Sequence, residues 1–178
     1  SDDQYYDHLA RGEAAGRATA INSAHVLDLC RKQGVNFSGS WLDVGCGSGH
    51  LLSQVQSAGF ASVGIEPGGW GQIAAERKGL NVVQGFLTSD TFPQRFNVIS
   101  ATDVVEHVPD PVDFLRLMSS YLQPGGYIVI SIPFASSLEA RLMGVHWDMV
   151  APPTHCQFFS LSSLKLMLQC ADLELVNY

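Results

Sequence analysis

Short apolar runs alternate along the chain with segments whose apolar residues recur at helical spacing. The runs, among them SWLDV, FNVISA and YIVISI, predict buried strands, and the periodic segments predict helices. Expected strands cover residues 40–44, 61–65, 80–83, 96–101 and 127–132, with the start of a further one at 173–176. Expected helices cover residues 7–33, 50–58, 70–78, 111–121 and 160–171. Strands that alternate with helices indicate the α/β class: a Rossmann-like, doubly wound, mostly parallel sheet with helices on both faces.

This alternation runs through the chain, so residues 1–178 are interpreted as a single domain. An N-terminal helical segment (1–39) precedes a core (40–132) that is expected to bind a cofactor. Residues 133–160 lack strong periodicity and are rich in His, Trp and Pro, which is typical of a lid or acceptor loop. The alternative is a structured insertion that only covers the sheet. Residues 161–178 are expected to supply the last helix and the start of a sixth strand.

The composition narrows the class of protein and of partner. Of the 178 residues, 46% are apolar and 15% are charged, as in compact folded domains. The net charge of -7 would repel phosphate backbones, so no nucleic-acid partner is expected. No apolar run approaches the roughly 18–20 residues that span a bilayer, and no signal peptide is recognisable, so no membrane span is expected. The four cysteines form no CxxC pair, which argues against a metal site and favours a reducing, cytoplasmic location.

The segment LDVGCGSGH, residues 42–50, joins a predicted strand to a predicted helix through a glycine turn. Gly45 and Gly47 allow backbone angles and a close ligand approach that side chains would prevent, and the helix N-terminus offers unpaired N–H groups. The G-x-G-x-G spacing departs from the G-x-G-x-x-G of dinucleotide sites, which disfavours a NAD-dependent dehydrogenase. Asp43 precedes the loop and Glu66 ends the second strand. Two acids beside glycines suit a nucleoside that carries positive charge, such as S-adenosylmethionine with its sulfonium and ammonium groups.

Four motifs together resemble class I S-adenosylmethionine-dependent methyltransferases in their order and spacing. They are LDVGCGSGHLL from residue 42, IEP at 65–67, FNVISATDVVEHVPDP at 96–111 and LQPGGYIVISIP at 122–133. The EHVPDP and PGG elements are most similar to the small-molecule branch that includes ubiquinone-pathway O-methyltransferases. The later segment PPTHCQFFSLSSLKLML is similar to a bacterial group of enzymes, several of which act in surface-sugar or secondary metabolism. The resemblance implies an enzyme that uses S-adenosyl-L-methionine and releases S-adenosyl-L-homocysteine.

The same resemblance implies roles for residues at the carboxyl ends of the strands. Asp43 would contact the cofactor's ammonium group, Glu66 the ribose hydroxyls and Pro67 the adenine. Other expected contacts are Tyr6, which would fold over the cofactor, and Gly45, Cys46, Gly47, Gly49, Phe86, Leu87, Ala101, Thr102 and Asp103. The family often carries a G-D pair after the third strand, whereas this chain has Gly85-Phe86-Leu87. Backbone N–H groups and an apolar ring are therefore expected to contact the adenine here.

A hydroxyl acceptor must lose its proton, and histidine is suited to accept it near pH 7. His107, after the fourth strand, and His155, in the expected lid, are the candidate catalytic bases. Each of them has a purely structural role as its alternative, and His146 and His50 are weaker candidates. No metal site is expected, because no cluster of acids recurs after the fourth and fifth strands and Asp110 is explained as a helix cap.

Three functions stay open on these grounds. The first is methylation of a hydroxyl on a small-molecule substrate. The second is N- or C-methylation of a sugar or nucleotide-sugar, and the third is a non-catalytic domain that binds the cofactor or a partner. By the resemblance, the sheet would end in a sixth and a seventh strand, and the sequence stops just inside the sixth. C-terminal edge strands are therefore expected to be missing, which predicts marginal stability or a homo-oligomer that covers the edge.

Overall fold

The computed structural model describes residues 13–36, 38–69, 71, 73, 78–147, 150 and 157–177, with side chains from residue 23 onward. Its strands are β1 (Ser40–Val44), β2 (Ala61–Glu66), β3 (Val82–Gln84), β4 (Phe96–Thr102) and β5 (Leu122–Ser131). Its α-helices are α1 (Glu13–Lys32), α2 (His50–Ser57), α3 (Pro111–Ser120), α4 (Leu138–Met143) and α5 (Leu161–Cys170). Short 3-10 helices cover Val105–His107 and Gly144–His146. None of the described helices is long and apolar enough to cross a membrane.

The five strands form one sheet in the order β3-β2-β1-β4-β5, and all neighbouring strands in it are parallel. This order reverses direction beside β1, which places a crevice at the carboxyl ends of β1 and β4. Asp43 is in register with Gly64 on β2 and with Ser100 on β4. The predicted Rossmann-like α/β class is confirmed, and ligands are expected at this edge of the sheet.

Helices cover both faces of the sheet because residues on each buried strand alternate between two apolar clusters. Leu42 and Ile99 point to the cluster formed with α3 and α5, whereas Trp41 and Val98 point to the cluster formed with α1 and α2. Asp43 lies two residues after Trp41 and Ser100 two after Val98, so both polar side chains lie on the α1 and α2 side.

The predicted turn Pro124-Gly125-Gly126 interrupts β5 instead of preceding it. Phe96 pairs with Leu122 and Val98 with Tyr127, so a single β4 residue lies opposite the whole turn. A Cβ at Gly126 would lie 2.7 Å from the carbonyl oxygen of Asn97. Glycine therefore lets the two backbones approach closely enough for pairing to resume.

Four predictions about the flanks of the sheet need correction or lie partly outside the described residues. Helix α4 falls within 133–160, where no periodic element was expected. Residues 173–176, expected to begin a sixth strand, form no strand in the described structure. The apolar helical patterns around Cys30 and Cys170 predict that both are core residues; Cys30 is buried, but Cys170 at the end of α5 is exposed. The expected helix at 70–78 is described only at residues 71, 73 and 78, which are helical.

Candidate cofactor site

The glycine loop between β1 and α2 has a backbone that side chains would not allow. Gly45, Gly47 and Gly49 have φ values of 68°, 53° and 71°, in the left-handed region that favours glycine. The N–H of Gly45 donates to the carbonyl of Ile65 at 2.8 Å, which ties the loop to β2. A Cβ at Gly45 would lie 2.5 Å from Cγ2 of Val104. Glycine therefore lets the loop pass close to Val104, while Gly45 and Gly47 stay half-exposed after β1.

Helix α2 begins directly after this loop with its N-terminus free of side-chain caps. Gly49 is the N-cap residue and makes no side-chain hydrogen bond, and the first turn of the helix contains no acid. The first N–H groups and the positive end of the helix dipole are thus available to electron-rich atoms of a ligand. Nearby, Nζ of Lys78 donates to the carbonyl of Ser48 at 2.8 Å. Burial and this lysine lower the pKa of His50 below its ordinary value.

Glu66, at the end of β2, joins the two sides of the site. One of its carboxylate oxygens accepts from the N–H of Gly47 at 3.1 Å, and the other accepts from the N–H of Gly68 at 2.8 Å. The side chain is only 7% exposed. A Cβ at Gly71 would overlap Cγ of Glu66, so that position also needs glycine. Glu66 therefore holds the glycine loop against the segment that follows β2.

Asp43 is buried beneath the loop, with a fractional exposure of 1%. Its Oδ1 accepts a hydrogen bond of 2.6 Å from the hydroxyl of Ser100. Burial and, to a smaller extent, the charge of Glu66 outweigh the lowering effect of the hydrogen bond from Ser100, so that the pKa of Asp43 is raised from 3.8 to about 7. An acid with this pKa is poised to ionise when a cationic group approaches.

These residues fit S-adenosylmethionine, a cation with a ribose and an adenine. Gly45 and Gly47 are half-exposed after β1, so part of the loop's main chain is open to a ligand. Asp43 matches the chemistry of an ammonium group. Glu66 has oxygens already oriented by backbone N–H groups, as a diol acceptor requires. The donor set contains no feature that conflicts with the cofactor.

The other predicted contacts lie around the same edge of the sheet, with different exposures. Pro67 and Phe86 are exposed, and Leu87 packs against the core. Ala101 is fully buried, and Thr102 ends β4 half-buried. Asp103 follows with a φ of 56°, unusual for a residue other than glycine, and accepts from the hydroxyl of Ser131 at 3.2 Å.

The backbone N–H of Cys46 donates to the carbonyl of Ile65 at 3.2 Å, which helps to hold the loop against β2. The Cys46 side chain is buried against Gly64, where a Cβ would lie 2.5 Å from the Cys46 sulfur. Burial and the charges of Asp43 and Glu66 raise the pKa of this thiol far above neutral pH, so it stays protonated and unreactive.

The histidine predictions are only partly placed by the structure. His107 is exposed and ends the 3-10 helix that follows β4. His146 is exposed in the second 3-10 helix. His155 and Tyr6 lie outside the described residues. Within the described ranges, no group of three or more His, Cys, Asp or Glu residues could hold a metal ion.

Asp110 has the structural role that was predicted. Its carboxylate accepts from the N–H groups of Val112 and Asp113, both at 3.0 Å, and Pro111 follows in the first turn of α3. This confirms the residue as a helix cap.

Sequence reasoning did not identify Ser100, Trp41 or Gly71 as parts of the site. Gly71 lies in a helical pattern, where glycine costs stability relative to alanine. That local penalty, a few residues after Glu66, was the available signal for a close approach. Ser100 and Trp41 carry no local signal. Trp41 bonds to Ser100, and Ser100 bonds to Asp43, only because β1 pairs with β4.

A family profile described as "Methyltransferase domain" matches residues 16–178. The chain is 30% identical over 119 residues to the ubiquinone biosynthesis O-methyltransferase of Aeromonas salmonicida (strain A449), covering 62% of this chain and 50% of that protein. The protein of the same name from Pseudomonas fluorescens (strain Pf0-1) is 32% identical over 106 residues, covering 54% and 46%. The chain thus spans about half the length of these curated relatives.

Solved structures of methyltransferases share the architecture. The S-adenosylmethionine-dependent methyltransferase of Archaeoglobus fulgidus superposes with a TM-score of 0.66 at 26% identity, covering 83% of this chain and 67% of that one. A methyltransferase of Thermotoga maritima gives 0.62 at 21% identity, with 77% and 65% covered, a likeness of fold alone. Sheet and neighbours together define a Rossmann-like methyltransferase fold. The chain belongs to the methyltransferase domain family, in the class I S-adenosylmethionine-dependent group, and resembles ubiquinone-pathway enzymes.

Proposed function

We propose that this chain transfers the methyl group of S-adenosylmethionine to a hydroxyl oxygen of a small-molecule acceptor. The observation that carries the cofactor assignment is the placement of two buried acids, Asp43 and Glu66, at the ends of adjacent strands beside the glycine loop. Membership of the methyltransferase domain family supports the reaction. The names of the curated relatives support a hydroxyl acceptor.

The chain's own residues account for cofactor binding in this proposal. Asp43 pairs with the ammonium group, and Gly45 and Gly47 let the methionine part lie against the main chain. Glu66 accepts the ribose hydroxyls. An ionised carboxylate has roughly four lone-pair sites, so Glu66 can accept these bonds without releasing the N–H groups of Gly47 and Gly68.

The bound cofactor supplies a methyl group on a sulfonium, an excellent leaving group. The protein's contribution is therefore alignment of the acceptor and exclusion of water, which together can lower a barrier by about 7–11 kcal/mol. Thr102 ends β4 and Asp103 follows it, at the edge where the acceptor must approach. The left-handed backbone of Asp103 costs energy in a non-glycine residue, as is common at functional sites.

We assign proton removal from the hydroxyl to His107. It ends the 3-10 helix that follows β4 and is exposed, so an acceptor could reach it. A neutral imidazole accepts protons effectively near pH 7, and a positioned base typically contributes about 10²–10⁴-fold in rate. His155 is the second candidate, within the segment proposed as a lid.

Aromatic side chains within residues 133–160 favour an acceptor with an apolar or aromatic body. The rings of Trp147 and Phe158 lie 6.3 Å apart, and Phe158 is 40% exposed. Phe134 and Phe159 bridge the end of β5 to the segment before α5 through backbone pairing. This segment is thereby anchored at the edge of the sheet where the acceptor would enter.

Calorimetric titration with S-adenosylhomocysteine tests the cofactor assignment. We expect micromolar binding by the wild type and at least tenfold weaker binding by Glu66→Ala. Glu174→Ala, which removes a glutamate that lies after α5, is the matched control and should bind as the wild type does. No binding by folded wild-type protein would refute the proposed function of this chain.

Turnover with labelled S-adenosylmethionine tests the acceptor class. Three sets of acceptors are compared: small phenols, small amines and sugars. Methylation of phenols alone is expected, with His107→Ala slowing it about 10²–10⁴-fold and leaving S-adenosylhomocysteine affinity unchanged. Transfer to the nitrogen of an amine, or to a nitrogen or carbon atom of a sugar, would contradict the hydroxyl assignment. Binding without any turnover would indicate a non-catalytic domain.

A further inference from the structure

A buried chain of hydrogen bonds leads from the interior of the sheet to Asp43. The indole Nε1–H of Trp41 donates to Oγ of Ser100 at 2.7 Å, and that hydroxyl lies 2.6 Å from Oδ1 of Asp43. None of the three residues is more than 1% exposed. The three residues are called the Trp41–Ser100–Asp43 relay below.

Elementary chemistry fixes the direction of the relay. An indole nitrogen is a donor only, so the bond from Trp41 occupies a lone pair of the Ser100 oxygen. The hydroxyl has one proton, and its two acceptors are Oδ1 of Asp43 at 2.6 Å and the carbonyl of Leu42 at 3.5 Å. The shorter bond takes the proton. Ser100 is therefore a donor to Asp43, which favours the ionised carboxylate.

Packing holds the first member of the relay in place. The Trp41 ring meets Phe60 edge to face, with centroids 5.0 Å apart and planes at 75°. It lies in the same buried cluster as Val98, its partner across the β1–β4 pair. The register that pairs Asp43 with Ser100 places the serine beside the acid. The relay is thus built from two strands and a fixed ring, with little freedom to rearrange.

We propose that Ser100, oriented by Trp41, is a positioning residue that orients the Asp43 carboxylate and favours its ionised form for the cofactor's ammonium group. This inference rests on the proposed function, since it requires that Asp43 meets that group. Ser100 acts through Asp43 and touches neither the cofactor nor the acceptor.

The surroundings of Asp43 explain why such a donor is needed. Among the described residues, the charged group that acts on it is Glu66 of β2, which repels its charge. From β4 it faces the neutral hydroxyl of Ser100, and in the loop the Cys46 thiol remains protonated. Burial and Glu66 thus oppose ionisation, and the hydrogen bond from Ser100 counters them.

Binding of S-adenosylhomocysteine at several pH values between about 6 and 8.5, the range around the raised pKa of Asp43, tests the relay. The variants are Ser100→Ala, which removes the donor, and Trp41→Phe, which removes the indole N–H and leaves Ser100 in place. Ser100→Thr retains a hydroxyl and should retain the wild-type pH profile. Ser57→Ala is the matched control, because it removes a serine hydroxyl that bonds to the carbonyl of Ser53 on helix α2.

For Ser100→Ala we expect about tenfold weaker binding at pH 6, with the pH midpoint of binding raised by about one unit, because a hydrogen bond to a charged group is lost. The difference in affinity between Ser100→Ala and the wild type should narrow as the pH approaches about 8.5, where Asp43 is ionised even without the bond from Ser100. Trp41→Phe should shift the profile in the same direction by less.

If folded Ser100→Ala and Trp41→Phe both keep the wild-type pH profile of binding, the relay is overturned. As long as the wild-type protein binds S-adenosylhomocysteine, that result leaves the cofactor assignment intact. A loss of equal size at every pH would also overturn the relay, because a merely structural role predicts that result. Absence of binding by the wild type itself would instead refute the proposed function.

Discussion

The stability of the Asp43→Asn variant tests the raised pKa of Asp43 without any ligand. Asparagine has the shape of aspartate and can still accept the bond from Ser100, so the substitution mainly removes the ionisable proton. In the wild type, burial raises the pKa of Asp43 from 3.8 to about 7. The folded protein therefore retains a proton between these two pH values that the unfolded chain has released.

The sign of the effect follows from that difference in bound protons. Where the folded state binds more protons than the unfolded state, the free energy of unfolding falls as pH rises. With pKa values of 3.8 unfolded and about 7 folded, this one group should lower the stability of the wild type by about 2.5 kcal/mol between pH 5 and pH 8. The asparagine that replaces Asp43 does not titrate, so the variant lacks this contribution.

Urea unfolding of both proteins at pH 5 and pH 8, without cofactor, measures the effect. The contributions of all other groups cancel in the difference between variant and wild type, apart from those coupled to Asp43. The free energy of unfolding of Asp43→Asn, relative to that of the wild type, should rise by about 2.5 kcal/mol from pH 5 to pH 8. The same variant should bind S-adenosylhomocysteine weakly at both pH values. A stability difference that does not change with pH would refute the assignment of a raised pKa to Asp43.

Two further substitutions test parts of the site, and a third tests the cap of α3. Gly45→Ala places a Cβ 2.5 Å from Cγ2 of Val104 at a φ of 68°, which should distort the glycine loop. It should cost at least about 1–2 kcal/mol in urea unfolding and abolish S-adenosylhomocysteine binding, and wild-type affinity would contradict a role for the loop in binding. Asp103→Gly relieves a left-handed backbone, so the free energy of unfolding should stay the same or rise by up to about 1 kcal/mol, while kcat/KM should fall. Unchanged turnover would show that Asp103 is not part of the site. Asp110→Ala removes the cap of α3 and should cost about 1 kcal/mol without changing cofactor affinity, whereas an unchanged unfolding midpoint would contradict the cap.

The strands of the sheet were predictable because each central strand is buried on both faces and forms a continuous apolar run. β1 and β4 match their predicted limits to within a residue. Helix α4 was not predictable in this way: it has six residues, and its leucines Leu138 and Leu142 are 72% and 77% exposed. A helix that buries little apolar surface has no periodic pattern to recognise.

In the site, too, the local features were predictable and the contacts between distant residues were not. The proximity of Asp43, the glycines and Glu66 was predictable, because Asp43 and the glycines belong to one contiguous segment and Glu66 ends the adjacent strand. Ser100 is 57 residues from Asp43, and Trp41 is 59 residues from Ser100. Their contacts depend on the pairing of β1 with β4 and on its register. Sequence patterns indicate the strands but not the register between them, so they could not predict hydrogen bonds between side chains on two strands.

Asp43 connects the stability of the fold to the proposed binding of a cation. Burial and the repulsion of Glu66 make its charge costly, so near neutral pH the free protein holds a mixture of the acid and the carboxylate. A cationic ligand that pairs with the carboxylate must then release a proton on binding, and its affinity must rise with pH through this range. The bond from Ser100 reduces the cost of ionisation without supplying a charge of its own, which would compete with the ligand. A buried neutral donor therefore suits this position better than a salt bridge, since a lysine or arginine there would neutralise the acid that the ligand needs.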